Sequence, residues 1–431
     1  MGAKAIGPAT SIVLAAIILT GCGMNSPMGG DPNAPAFAQV EENARSQTIE
    51  NLMARPSVIQ PGSPFDAVAK AVLATHARTA EAELRSARLR ARAASKNWLP
   101  RIGPNISLTS MSDLVVQLLV EQVIFDNGRR KAEREFAAYD VEAAAVALSQ
   151  DTNARVATAL KLHISATRAQ HQGSVAAKAQ RQMREFADII ERRVNGGVSN
   201  MADLRVVQAK LNEATADLHR AREAEQTARA ELAAMAGVPV DQAPSVNGIG
   251  GLTKTGAQGR NPLNVVLAVA EGRRSVAQTK VDRAAQLPSI TVNGAAGEDG
   301  GIGVGVSGER MVGLGMRDTL AALRASQDAA NRSIKQAQED NQRVVNRLEQ
   351  KRQSLQRQQA ESAKLVADAK RTYNLFLEQF RNSGRPIMEV VNIYENAMRL
   401  EKDAVRLKYE LAEIQVEIAN LYGTLVSGDK I

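Results

Sequence analysis

Residues 98–130 read Trp98-Leu99-Pro100-Arg101-Ile102-Gly103-Pro104-Asn105-Ile106-Ser107-Leu108-Thr109, then Ser110-Met111-Ser112-Asp113, then Leu114-Val115-Val116-Gln117-Leu118-Leu119-Val120-Glu121-Gln122-Val123-Ile124-Phe125, and close on Asp126-Asn127-Gly128-Arg129-Arg130. Ile106 and Leu108 alternate with Asn105, Ser107 and Thr109, and Leu114, Val116, Leu118 and Val120 share one face while Gln117 and Glu121 take the other. A period of two belongs to a strand. Each stretch is about ten residues long, the length of a tilted strand that crosses a bilayer. The pattern predicts a hairpin over residues 102–125 with one apolar and one polar face, as in a barrel wall between lipid and water.

The same punctuation recurs. Leu99-Pro100-Arg101-Ile102 returns as Leu287-Pro288-Ser289-Ile290, Gly128-Arg129-Arg130 as Gly315-Met316-Arg317, and Gly196-Gly197-Val198-Ser199 as Ser383-Gly384-Arg385-Pro386. A second hairpin is expected over residues 289–314, where Ile290 and Val292 alternate with Thr291 and Asn293, and Ile302, Val304 and Val306 alternate with glycines and Ser307. Ser63-Pro64-Phe65 and Asn261-Pro262-Leu263 each predict a helix N-cap followed by Pro at the first helical position. Two copies of one unit follow from this order. The first copy covers residues 63–237: a helix 64–97, a hairpin, a very long helix 129–194, a glycine turn 195–198 and a returning helix 200–236. The second covers 261–425: a helix 262–286, a hairpin, a long helix 316–381, a turn 382–385 and a returning helix 386–425. Residues 238–260, rich in Gly, Pro and Thr, are the linker, and 426–431 a C-terminal tail.

The returning helix repeats Leu204, Val207, Leu211, Ala214, Leu218, Ala221, Glu225, Ala228, Leu232 and Met235 in 3-4 alternation, a seam against neighbouring helices with left-handed supercoiling. The second copy shows this in pieces, as Val366, Ala369, Tyr373, Phe376 and Phe380, and as Leu411, Ile414, Ile418 and Leu421. A helix of this predicted length rises to roughly 100 Å, several times the width of a globular domain. The composition agrees: 44% of residues are apolar and 3% aromatic, with stretches dominated by Ala, Arg, Glu, Gln and Leu. The expected fold is mainly α, a long coiled-coil-like layer of helices with a small transmembrane β part.

The formal net charge is +8, but the basic residues are mostly interspersed with acids, and the dense run from Arg85 to Arg92 lies on a periodic helix without interleaved aromatics. This reads as a solvated helical face and not as a nucleic-acid surface. Cys22 is the single cysteine, so no intramolecular disulfide or multi-cysteine metal site can form. Lys4, the apolar run from Ile12 to Leu19 and the tetrapeptide Leu19-Thr20-Gly21-Cys22 fit a secretory signal, residues 1–21, cut before Cys22. The tetrapeptide resembles the bacterial lipobox, which implies acylation of Cys22 and a lipidated tether over residues 22–62. By the same resemblance Gly23, in place of Asp, favours the outer membrane.

Four strands cannot close a barrel, because small closed barrels need about eight, and an open edge is not tolerated in hydrocarbon. The strands must be shared among two, three or four copies, unless they form a small water-soluble layer packed on the helices. Trp98, beside Leu99-Pro100, is expected at the membrane interface.

In this order the motifs resemble the TolC-like outer membrane factor family, the exit ducts of tripartite efflux pumps and type I secretion systems. The residues that carry the likeness are Leu99-Pro100-Arg101-Ile102, Phe125-Asp126-Asn127-Gly128-Arg129-Arg130, Gly197-Val198-Ser199 leading to Asp203-Leu204, the helix ending in residues 232–237, and Ser383-Gly384-Arg385 followed by Glu389-Val390-Val391. The resemblance implies a homotrimer with a twelve-stranded barrel in the outer membrane and a helical tunnel in the periplasm of a Gram-negative bacterium. It implies as partners a periplasmic adaptor and an inner membrane transporter. The hairpin tips that would meet the adaptor fall on Gly196, Gly197 and Val198, and on Ser383 and Gly384. The periplasmic gate falls on Asp203, Arg385, Glu389 and Asn392, with Asp203 and Arg385 tying helices shut and Asn392 standing where the family carries a second acid. The alternative is a lipid-anchored periplasmic coiled-coil scaffold or adaptor without a pore.

Other motifs carry no chemistry. Residues 303–308 match GxGxxG but alternate as a strand does, and His163 and His171 lack partners at ligand spacing. No enzyme and no cofactor beyond the lipid on Cys22 is expected.

Overall fold

The computed structural model describes residues 46–74, 79–108, 114–239, 248–253, 260–296, 301–307, 316–383 and 386–431. In chain order the elements are α1 (Gln47–Met53), α2 (Pro64–Leu73), α3 (Thr79–Ser95), β1 (Arg101–Leu108), β2 (Leu114–Phe125), α4 (Arg129–Asn195), α5 (Met201–Ala236), α6 (Leu263–Ala285), β3 (Ser289–Ala296), β4 (Ile302–Ser307), α7 (Met316–Ser383) and α8 (Ile387–Leu421), with a short 3₁₀ turn at Gly428–Lys430. The order helix, hairpin, very long helix, returning helix therefore occurs twice. At 67 and 68 residues, α4 and α7 are each roughly 100 Å long.

The two hairpins join into one antiparallel sheet in the order β1-β2-β3-β4. Below it the helices form a row. Near the sheet the neighbours run α3, α4, α6, α7, and towards the far end α5, α4, α8, α7. The central helix α4 has an interior wrapped by neighbours, while α3, α5 and α7 lie at the edges. The seam of α5 is buried at Leu204, Val207, Ala214, Leu218, Ala221, Ala228 and Leu232. Small residues bring it close to α4: a β-carbon added at Gly173 would sit 3.6 Å from that of Ala221.

Midway along α4 a compact belt gathers the segments outside the repeats. Residues 46–62, expected to be a tether, instead pack into this core, with Ile49, Leu52, Val58 and Ile59 buried beside Phe65, Val68 and Val72 of α2. Burial of such side chains contributes about 1.5–3 kcal/mol each, which a free tether would forgo. Val58 donates its backbone N–H to the Thr424 carbonyl at 2.8 Å and accepts from Thr253 at 2.8 Å, so the N-terminal strap, the linker and the C-terminus meet. Gly428 passes so close to Leu52 that a β-carbon would lie 1.9 Å from its carbonyl oxygen.

Three boundaries differ from the sequence reading. The helix expected over residues 64–97 is two helices, because α2 buries its apolar face in the belt whereas α3 turns Leu84 and Ala87 towards α4. Ser63 caps α2 as expected, accepting from the Asp66 N–H at 3.2 Å, but Pro262 itself occupies the N-cap of α6, and the Asn261 carbonyl accepts from the Arg55 guanidinium at 3.1 Å. Finally α8 stops at Leu421, because Gly423 adopts φ +61° and turns residues 424–426 back into the belt.

Candidate functional site

The register sorts the sheet into two unlike faces. Ile102 pairs with Val120 and Val120 with Gly294, which pairs with Ile302; Gln122 pairs with Val292, and Val292 with Val304. Directly opposed residues share a face, so these rows form one side, which is apolar apart from Gln122. A bulge at Ile124 brings Phe125 opposite Ile290 on that same side. The apolar side faces outward: Ile302 is 87% and Val304 73% exposed. The other side carries Arg101 opposite Glu121, Glu121 opposite Asn293, and Val123 opposite Thr291. It looks onto a cavity of about 270 Å³, walled also by Asp126, Arg129, Arg130 and Glu133 where α4 begins. Trp98 is 61% exposed at the same level, its carbonyl accepting from the Gln122 side chain at 3.1 Å. Among the described residues the outer edges of β1 and β4 have no partner strand.

At the opposite end, α4 and α5 form one helical hairpin and α7 and α8 another. Val194 closes the first through a turn in which Gly197 takes φ +74°, a left-handed conformation that a side chain disfavours, and Val198 is exposed. Asn200 caps α5 by accepting from the Asp203 N–H at 2.8 Å, so Asp203 stands in the first turn of α5, as Glu389 stands in the first turn of α8. Both acids complement the positive end of a helix dipole. Glu389 and Asn392 lie on the exposed side of α8, one turn apart and away from the buried Val390, Val391 and Tyr394. Of the expected gate and tip residues, Gly384 and Arg385 lie outside the described residues, as does Cys22. Ser383 ends α7.

Contacts that the sequence reading missed hold the two hairpins together. Phe186 meets the edge of the Tyr394 ring at 5.9 Å, and Tyr373 stacks obliquely on Tyr394 at 4.9 Å. Burial, and then neighbouring Tyr373, pushes the Tyr394 phenol far above its ordinary range. Lys210 of α5 pairs with Glu395 of α8, and Asp217 of α5 with Lys402 of α8. Each pair spans 185 residues with the charges exchanged, so opposite charges at equivalent positions of the two copies were the available signal. Arg168 reaches Glu413 at 3.3 Å and Lys161 reaches Glu417 at 3.5 Å, tying α4 to α8. Nearer the sheet, Asp140 of α4 joins Arg90 of α3 at 3.2 Å and Arg274 of α6 at 3.1 Å. His163 and His171 serve packing: His163 meets the edge of Phe65 and donates to the Gly248 carbonyl at 3.0 Å, while His171 lies against Tyr409.

Residues 76–238, which span α3 through α5, match the family model of the outer membrane efflux protein. That stretch, the first of the two copies, is similar to the outer membrane efflux protein family. A search of the curated proteins gives no match. The fold extends the efflux protein likeness over both copies. The outer membrane protein VceC of Vibrio cholerae is similar with a TM-score of 0.72 at 16% identity, over 83% of this chain and 96% of that one. The CmeC outer membrane channel of Campylobacter jejuni gives 0.71 at 12% identity over 84% and 86%. The open state of the MtrE outer membrane channel of Neisseria gonorrhoeae gives 0.68 at 17% over 87% and 93%. The fold of this chain is thus similar to that of solved outer membrane channels, mainly helical with a small β part.

Proposed function

We propose that the protein is the outer membrane exit duct of a tripartite efflux pump or type I secretion system, a conduit and not an enzyme. One observation carries this reading: among the described residues, a sheet with an apolar outer face and two unpaired edges continues directly into a row of helices that ends in α3 and α5 on one side and α7 on the other. Such an edge-to-edge contact is heterologous, and closes into a ring when the rotation permits. The family supports three copies, and twelve strands then remove every edge from the hydrocarbon. The helical row continues the ring into the periplasm, where an adaptor meets Gly196, Gly197 and Val198, and Ser383 and Gly384, and an inner membrane transporter supplies the energy. Acyl chains on Cys22 anchor the N-terminus to the outer membrane, each buried CH₂ contributing about 0.8 kcal/mol.

In this reading Asp203 and Arg385 hold the periplasmic mouth closed, and a ring of Glu389 with neutral Asn392 favours cations weakly. Purified protein in planar bilayers gives stepwise conductance, raised by Asp203→Ala or Arg385→Ala. A folded trimer that conducts in neither form refutes the duct. Replacing Cys22 by Ser leaves the protein in the outer membrane fraction; release as a soluble protein instead supports a lipid-anchored scaffold.

A further inference from the structure

A second cavity, of about 320 Å³, opens where α4 leaves the sheet and α6 approaches it. Its floor is apolar, with Ala284 and Leu287, and its rim carries Lys131, Lys280 and Arg283 against a single acid, Glu135. Lys280 pairs with Glu135 at 2.7 Å. Lys131 and Arg283 are exposed and have no carboxylate partner among the described residues, so the rim keeps an excess of two positive charges.

Helical geometry says which side of the wall this cavity occupies. Arg129, Arg130 and Glu133 border the cavity under the polar side of the sheet. Lys131 and Glu135 are each two residues further along α4, which at 3.6 residues per turn places them about 200° round the helix. The two cavities share Ala284 and Leu287 and lie back to back across them, so the basic cavity is on the side of the row that continues the apolar side of the sheet, where Phe125 opposes Ile290. It sits between α4 and α6, in the middle of the row, away from the edge helices that another copy would cover.

An apolar floor, a cationic rim and a neighbouring greasy surface at the point where strand becomes helix match one kind of partner in charge and in polarity. We propose that this cavity seats the phosphodiester headgroup of an anionic phospholipid from the periplasm-facing leaflet, with the acyl chains against Phe125 and Ile290. The site rests on the reading of the sheet as membrane-embedded. A cluster of basic side chains at a membrane surface attracts anionic headgroups, and the attraction falls within a Debye length.

The test uses the full-length protein in nanodiscs of phosphatidylcholine containing a minority of phosphatidylglycerol. Lipids retained after transfer to mild detergent are counted by native mass spectrometry. The wild type retains phosphatidylglycerol at about fivefold its bulk ratio, and Lys131→Gln with Arg283→Gln, which spares the Lys280–Glu135 pair, returns the ratio to bulk. Lys131→Arg with Arg283→Lys keeps the preference, and Lys335→Gln with Lys364→Gln, far along α7, leaves it untouched. Should the double variant not assemble, Arg283→Gln alone lowers the preference by at least about twofold. Equal retention by wild type and the neutralised variant overturns the site, as does displacement of the lipid by millimolar inorganic phosphate, which marks a free-anion site. A protein that enters the nanodisc without any lipid preference removes this proposal alone, whereas one that never enters removes the membrane reading beneath it.

Discussion

Asn153 is fully buried in α4, donates to the Ser149 carbonyl at 2.8 Å and accepts from the backbone N–H groups of Leu425 at 2.9 Å and Val426 at 3.2 Å. Asn153→Ala strands two buried donors, at about 1–3 kcal/mol each, and should lower the thermal unfolding midpoint clearly, while Asn346→Ala on α7 should not. Arg55 plays a matching part: its guanidinium, buried and held down to about 10 by that burial and by Arg260, grips the Tyr422 and Asn261 carbonyls. His163 gives the belt a pH dependence. Burial keeps its imidazole below the ordinary range, nearby Arg229 adding to this and the bond to the Gly248 carbonyl opposing it. The unfolded chain then binds more protons than the folded one, so stability is full above about pH 6.5 and declines as pH falls towards the folded value. The fall in unfolding midpoint between neutral and mildly acidic buffer should shrink in His163→Gln; an unchanged slope refutes the assignment.

At the scale of elements, the cross-hairpin pairs set how firmly α5 is held to α8. Lys210→Glu should loosen this contact and Lys210→Glu with Glu395→Lys should restore it, with a coupling of about 0.5 kcal/mol because Glu395 is partly exposed. A double-mutant cycle on the unfolding midpoint measures it, and additive single effects would exclude the pair. These contacts also mark what a sequence discloses. The strands, the long helices and the 3-4 seam from Leu204 to Leu232 were legible because their spacing is local, and Asn200 and Gly197 announce a cap and a turn by chemistry. The packing of the strap was not, since Ser57, Val58 and Ile59 find their partners at Leu425, Thr424 and Leu252, which are remote in the chain, and no period links them. The joining of β2 to β3 is equally non-local. Of the residues proposed for the gate, Asp203 and Glu389 stand in the first turns of α5 and α8, where the expected helix starts put them, whereas the pairs from Lys210 to Lys402 depend on how two hairpins lie together.

On the scale of the whole molecule, the proposed duct makes one copy an unfinished wall. Single cysteines at Ile102 in β1 and Ile302 in β4, introduced together in a Cys22→Ser background, should on oxidation give covalent species that end at three linked chains on denaturing gels. A ladder that runs on past three would point to an open filament, and monomer alone to a self-contained fold. In the proposed duct, the edges of β1 and β4, unpaired among the described residues, also impose an order of events on biogenesis. A newly exported chain must cross an aqueous space with greasy strands whose rims can recruit any passing strand, while its edge helices, polar along α7, are harmless. Sisters therefore have to meet through their helices first and insert together, and while they wait, the ribbon needs a holdase to shield it.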